Sequence, residues 1–364
     1  MRLSLLIIIF ISFTLSSLGQ SKEDKAKAYG IAKEAIIIMD YGDFDKSIEM
    51  LKKAEKLDPN NYTYPYEMAF AYYSQQKYKK TIKTLKKVIK SGNSSDQCYT
   101  LLGNSYDMVK QPEKAIEIYK SGLIKFPKSG RLYFELGNVL GGIQKHNEAL
   151  DIWEKGVTID PTYPSNYYIA SIYFCEYTSE KIWGILYGEL FQNIERGSKR
   201  TETMSKLIFD TYKSSLIIKS DTEAVVTFSK SNQISLPAEG KQMKLPFTMQ
   251  YEMTMILALS TQLDKQELGI KSLNAIRTTF INNWYDSKKN IDYPNIVFDW
   301  HKKLIELDYF ESYNYWLFMK GNEDEFNAWL ADHKDKFDAF FDWFTENPLD
   351  IDEQHYFYRL QLDL

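Results

Sequence analysis

Four histidines, His146, His301, His333 and His355, and two cysteines, Cys98 and Cys175, are the side chains best suited to acid–base, nucleophilic or metal chemistry. None of the histidines stands from another His, Cys or Glu at the spacing a zinc motif requires. His333, beside Asp332 and Asp335, could act as a base with carboxylate help, and an exposed helical surface is its competing reading. No G-x-S-x-G elbow is present, and Gly240-Lys241 lacks the earlier glycine and the following Ser or Thr of a phosphate loop. Two cysteines, 77 residues apart, are too few for a disulfide framework, so both are expected as packed free thiols. The residues therefore predict no catalytic group, no metal and no cofactor.

Composition narrows the remaining classes. The 364 residues are 26% charged and 15% aromatic, enough for one large or two modest packed domains. A formal net charge of −4 provides no global basic field for phosphate backbones or anionic membranes, which argues against nucleic acid as a partner. The first residues differ from the rest: Arg2, an apolar run from Leu3 to Leu15, then Ser17-Leu18-Gly19 with small residues at the −3 and −1 positions of a cleavage site. This pattern predicts a signal peptide over 1–19, cleaved near Gly19/Gln20, and export to the periplasm or cell surface. A retained membrane anchor is the alternative, although the run is short of the roughly 20 residues that spanning takes. No cysteine in the segment permits lipoprotein processing, and no later segment is apolar enough to span, so no membrane insertion is expected after signal removal.

The elements that would position a site emerge from self-comparison. One pattern recurs every 34 residues in blocks starting at Ala28, Tyr62, Asp96 and Gly130, with a fifth near Pro164. The eighth, twentieth, twenty-seventh and thirty-second positions are Gly103, Ala115, Gly122 and Pro127 in the third block, and Gly137, Ala149, Gly156 and Pro161 in the fourth. Small residues at the eighth and twentieth positions let two antiparallel helices approach, and the proline ends the second helix. Large apolar residues such as Tyr99, Leu102, Tyr106, Leu136, Leu140 and Trp153 fill the space between at helical spacing. In the fifth block Trp183 replaces the small twentieth residue, so its second helix is expected to stand farther off or tilt.

Over Ala28 to about Tyr163 these residues resemble the tetratricopeptide repeat (TPR) family. The resemblance implies an all-α fold, a right-handed α-solenoid of about five helix pairs over 20–198; residues 199–364 are expected as an irregular α-helical C-terminal region packed on the repeats and containing a loop near 220–246. The wider style of the chain resembles exported TPR proteins of Bacteroidetes. His146, at the seventeenth repeat position, is then a structural turn residue.

The family lines its concave groove from the second, fifth, sixth, ninth and twelfth positions of each first helix. Carried onto this sequence, the partner-binding candidates are Tyr66, Phe70, Tyr73, Asn104, Asp107, Arg131, Phe134, Asn138 and Tyr168. Asn104 and Asn138 share the ninth position of successive repeats, where an amide can pair with both backbone groups of an extended ligand. The competing reading packs some of these rings against neighbouring helices. The two-carboxylate clamp of TPR co-chaperones is absent: Thr100 precedes Asn104, Glu135 replaces the second asparagine, and Ser165 and Ile169 follow.

After Gly197 the 34-residue phase is lost. Helical patterning returns at 203–218, 248–260, 265–285 and 295–307, and Ala224 to Phe228 reads as a short strand within the loop. From Leu304 onward the chain is dense in aromatics and holds 15 Asp or Glu against 4 Lys or Arg, with no calcium-loop spacing. The expectation is a non-catalytic exported scaffold for a protein or peptide partner. Two alternatives stay open: a glycan-binding surface protein using aromatic platforms, and an enzyme with an unrecognised C-terminal site.

Overall fold

The computed structural model describes residues 21–230, 245–264 and 267–362. The expected signal peptide and residues 231–244 of the expected loop lie outside them. The described chain is built from helices paired in sequence, as in a TPR solenoid, with a less regular helical C-terminal part and one β-hairpin. The described residues form two compact units, divided between Ala115 and Ile116.

The first unit contains α1 (Lys22–Asp40), α2 (Phe44–Leu57), α3 (Thr63–Ser74), α4 (Tyr78–Lys90) and α5 (Asp96–Met108), and α6 (Pro112–Lys125) spans the division. Each of α1 to α4 packs on the helix that follows it. Ser21 and Asp43 cap α1 and α2 by accepting from the backbone N–H of Asp24 and Lys46. Alternation of buried small and branched residues, including Ala28, Ala35, Leu51, Ala54, Ala69, Leu85 and Val88, brings the helices together. Thr81 ties one pair by donating its hydroxyl to Ala69 C=O at 3.3 Å.

The backbone itself carries the period. Gly42, Gln76, Lys110 and Gln144 have φ of 90°, 58°, 60° and 64°, each at the fifteenth position of its block. Each turn closes with a Schellman-type bond from the next residue's N–H: Asp43 to Ile38 C=O (3.2 Å), Lys77 to Tyr72 (2.8 Å), Gln111 to Tyr106 (2.9 Å) and Lys145 to Leu140 (2.9 Å). At the fifteenth position of the fifth block, Thr178 is extended with φ −129°, and the period stops there.

The second unit continues with α7 (Gly130–Gly142), α8 (His146–Ile159), α9 (Pro164–Tyr177), α10 (Lys181–Ile194) and α11 (Lys199–Ser215). Gly137 is required by contact, since a Cβ there would lie 2.2 Å from Trp153 Nε1. The fifth pair corrects the expectation of a wider gap. Trp183 turns away to stack on Phe247 and Phe357, and Gly184, one residue later, provides the close approach. A Cβ on Gly184 would lie 2.4 Å from Cys175 Sγ and 2.9 Å from Ser171 C=O.

Strands β1 (Leu216–Ser220) and β2 (Glu223–Val226) form an antiparallel hairpin, with Leu216 opposite Val226. Helical patterning extends the preceding helix to 218, but α11 ends at Ser215 because Ile217 and Ile218 pair with Val225 and Ala224. Then follow α12 (Phe247–Leu259), α13 (Ile270–Asp286), the single turn α14 (Lys289–Asp292), α15 (Ile296–Glu306), α16 (Phe310–Phe318) and α17 (Glu323–Glu346), the last interrupted by non-helical backbone at His333. One core runs through this unit from Val157 to Leu362. The C-terminal segment is held by Arg359, which donates to Glu154 of α8 from Nε (3.0 Å) and Nη2 (2.7 Å) while its N–H donates to Tyr187 Oη (2.9 Å).

Candidate functional site

The expected groove residues all lie on first helices of pairs. In the first unit, Tyr66, Phe70 and Tyr73 share one face of α3 and Asn104 and Asp107 one face of α5; Phe70 and Asp107 are exposed and the others half-buried. Glu67 extends this face, and burial, with Asp40 nearby, raises its carboxyl above the ordinary range. In the second unit Arg131, Phe134 and Asn138 lie on α7 and Tyr168 on α9, all half-buried. Three of the expected groove rings pack within the protein: Tyr73 edge-on to Tyr78 at 5.3 Å, Phe134 edge-on to Tyr163 at 6.3 Å, and Tyr168 on Phe191 at 4.9 Å beneath the Arg200 guanidinium.

A concavity missed in the sequence lies elsewhere on the first unit. It encloses about 640 Å³ between α2, α3 and α4, with Pro65, Met68, Tyr72 and Val88 lining it and Lys52, Lys80, Lys83 and Lys87 around it. Residues 65, 68 and 72 point roughly 130° around α3 from 66, 70 and 73 at 3.6 residues per turn. Asn93 Nδ2 donates to Asn60 C=O (2.8 Å), joining the end of α4 to the turn between α2 and α3.

The second unit holds a buried charge cluster that sequence spacing could not reveal, because the partners of Glu189 lie 88 to 124 residues from it. Arg277 Nη2 donates to both Glu189 carboxylate oxygens (2.7 and 2.9 Å), and its Nη1 donates to Asn314 Oδ1 (2.5 Å). Tyr313 Oη donates to Glu189 Oε1 (2.8 Å), and His301 Nε2 meets the same oxygen. Burial opposes the Glu189 charge, but Arg277 and then His301 outweigh it and hold the carboxyl down at about 2. Burial keeps the His301 pKa below its ordinary value despite the nearby carboxylate. The cavity beside these groups measures about 10 Å³, near the lower limit for a single water. It admits no substrate, so the cluster reads as an internal clamp between α10, α13, α15 and α16.

The other histidines also have structural surroundings. His333 Nδ1–H donates to Trp329 C=O (2.9 Å) at the interruption of α17, and its ring stacks on Trp329. His146 begins α8 and lies 6.2 Å from Tyr173. His355 is exposed near Asp350 and Asp352, and Asp352 Oδ1 already accepts from the N–H groups of Gln354 and His355 in a turn. Cys98 and Cys175 are free and buried. No described helix is long and apolar enough to cross a membrane.

Paired helices, the recurring left-handed turn and small-residue contacts define a TPR-type scaffold. Residues 39–61 match the tetratricopeptide repeat family. The chain's solved structural relatives include TTC0263, a thermophilic TPR protein of Thermus thermophilus (11% identity, 50% of this chain and 98% of that chain, TM-score 0.42). PilF of Pseudomonas aeruginosa is 16% identical over 53% of this chain and 86% of its own, with a TM-score of 0.43. YrrB, described as a TPR protein with an unusual peptide-binding site, is 19% identical over 49% and 91%, with a TM-score of 0.35. No curated protein sequence matches the chain. TPR proteins are typically non-catalytic scaffolds that bind protein or peptide partners.

Proposed function

We propose that this chain is an exported, non-catalytic scaffold that binds a protein or peptide partner through the groove-facing sides of its first helices. The observation that supports this reading is the constancy of the repeat. Left-handed turns at Gly42, Gln76 and Lys110 keep the blocks of the first unit at one offset, so equivalent positions recur on its first helices α1, α3 and α5. Such regular presentation suits an extended ligand, whose backbone groups also repeat. Export rests on the N-terminal segment and is tested separately, by N-terminal sequencing of protein recovered from the periplasm, with Gln20 as the expected first residue.

The binding test uses a photo-crosslinking residue at Phe70 to capture the partner from envelope extract, followed by titration of the captured partner against wild type and Asn104→Ala/Asn138→Ala. Each lost hydrogen bond is worth about 0.5–1.5 kcal/mol, so the double variant should bind on the order of tenfold more weakly. Unchanged affinity would remove the first-helix face from the interaction. Specific binding on a glycan array, with no protein captured, would replace the reading with sugar recognition.

A further inference from the structure

Although the whole chain has a formal charge of −4, residues 44–93 contain 11 Lys against 5 Asp or Glu, a local balance of +6. Six of those lysines lie on α4, whose sequence YKKTIKTLKKVIK has no acidic residue. Lys80, Lys83 and Lys87 follow i, i+3, i+7 spacing and so form one stripe along the helix. Lys52 of α2 faces the same cleft, whose single carboxylate is Glu55. Lys52, Lys83 and Lys87 are exposed, and none has a carboxylate partner among the described residues. Lys80 instead lies over the Tyr72 ring, 5.4 Å from its centre.

An uncompensated lysine stripe above apolar residues is a mixed surface. A carboxylate-bearing ligand can satisfy the rim while its apolar side chains cover Met68, Pro65 and Val88. We propose that this cleft is a second binding site, distinct from the groove, for an extended acidic peptide segment of a partner protein. The dimensions fit that ligand. Lys80 to Lys87 spans about 10 Å at 1.5 Å per helical residue, which three extended residues cover at about 3.3 Å each. Lys83 and Lys87 are about 6 Å apart along the axis, close to the roughly 6.6 Å between same-side residues of an extended strand. The preferred segment therefore alternates acidic and apolar residues. A volume near 640 Å³ lies within the usual range for ligand sites, about 300–1,000 Å³. Compact ammonium groups on flexible stems match separate carboxylates, whereas a nucleic acid needs a longer phosphate track than one short stripe provides.

The test is fluorescence anisotropy on the full chain with labelled Glu-Leu-Glu-Leu-Glu, beside Gln-Leu-Gln-Leu-Gln and an oligothymidylate of ten nucleotides. The expected result is binding of the acidic peptide alone. Lys83→Glu/Lys87→Glu should weaken it at least tenfold with an unchanged melting temperature, because both side chains are exposed. Salt should weaken it steeply as the Debye length shortens from roughly 10 Å at 0.1 M toward 3 Å at 1 M. Asn104→Ala/Asn138→Ala should leave this affinity intact. Equal binding of the glutamine peptide, tighter binding of the oligonucleotide, no binding of any probe, or indifference to the charge reversal would each overturn the proposal. Loss of acidic-peptide binding in the asparagine variant alone would transfer the peptide to the groove, ending this inference while leaving the scaffold reading intact.

Discussion

Replacing Glu189 by Gln should cost the second unit a large share of its stability. The two side chains have nearly the same shape, so the perturbation is electrostatic: Arg277, with its side chain 3% exposed, loses the counter-charge of a carboxylate that is itself 1% exposed. Asn314 remains as a neutral acceptor for Nη1 and His301 Nε2 lies 2.9 Å from Nη2, but neither carries the carboxylate's charge, and the amide offers Nη2 one oxygen in place of two. Breaking one side of a buried pair costs about 3–5 kcal/mol. At roughly 2 °C per kcal/mol for a unit of this size, the melting temperature should fall by about 6–10 °C. Removing both charges with Glu189→Leu/Arg277→Met should recover much of that loss, because no unpaired ion is then buried. The pH profile provides an independent check. The Glu189 carboxyl titrates at about 2 in the folded chain against an ordinary value of 4.5, so its contribution is present above 4.5 and is lost as pH falls toward 2. His301 is also depressed, from 6.5, so its contribution is lost as pH falls below 6.5. Glu189→Gln should flatten the limb below pH 4.5 in particular. Calorimetry with parallel chemical denaturation tests these points; a loss under 1 kcal/mol, or a double variant less stable than the single one, would refute the clamp.

The repeating turn makes a paired prediction. Gly42→Ala should destabilise the first unit by about 1–2 kcal/mol, since φ of 90° places a Cβ in the left-handed region. Gln144→Gly should fall within about 0.5 kcal/mol of wild type or above it, relief of strain being offset by a more flexible unfolded chain; urea midpoints at constant slope distinguish the two. For the thiols, burial pushes Cys175 up to about 11, so alkylation of the native chain at pH 8 should leave it unmodified. Denaturation without reductant should expose two titratable thiols, and a count of zero would refute the free-cysteine assignment.

The helix pairs were legible because their determinants are local and periodic. A turn at one offset, small residues at another and a terminating proline are each read within 34 residues, and the backbone shows the same period in its positive φ values. The fifth pair shows the limit of counting offsets. The repeat pattern puts its small residue at position twenty, while contact requires only that some small residue face the neighbouring helix, and Gly184 meets that need from the next position. Helix α10 hides its chemistry for another reason: residues from Ile182 to Asn193 are buried on every side, so no amphipathic stripe distinguishes Glu189. Its partners come from three other helices, beyond any local spacing. The lysine cleft was obscured by averaging, because a chain-wide charge of −4 sums a basic first unit with a C-terminal region carrying 15 acidic and 4 basic residues. A ligand at a surface senses charges within about a Debye length, roughly 10 Å at moderate salt. The electrostatics relevant to recognition are therefore those of α2 to α4, where the local sign is opposite to that of the whole chain.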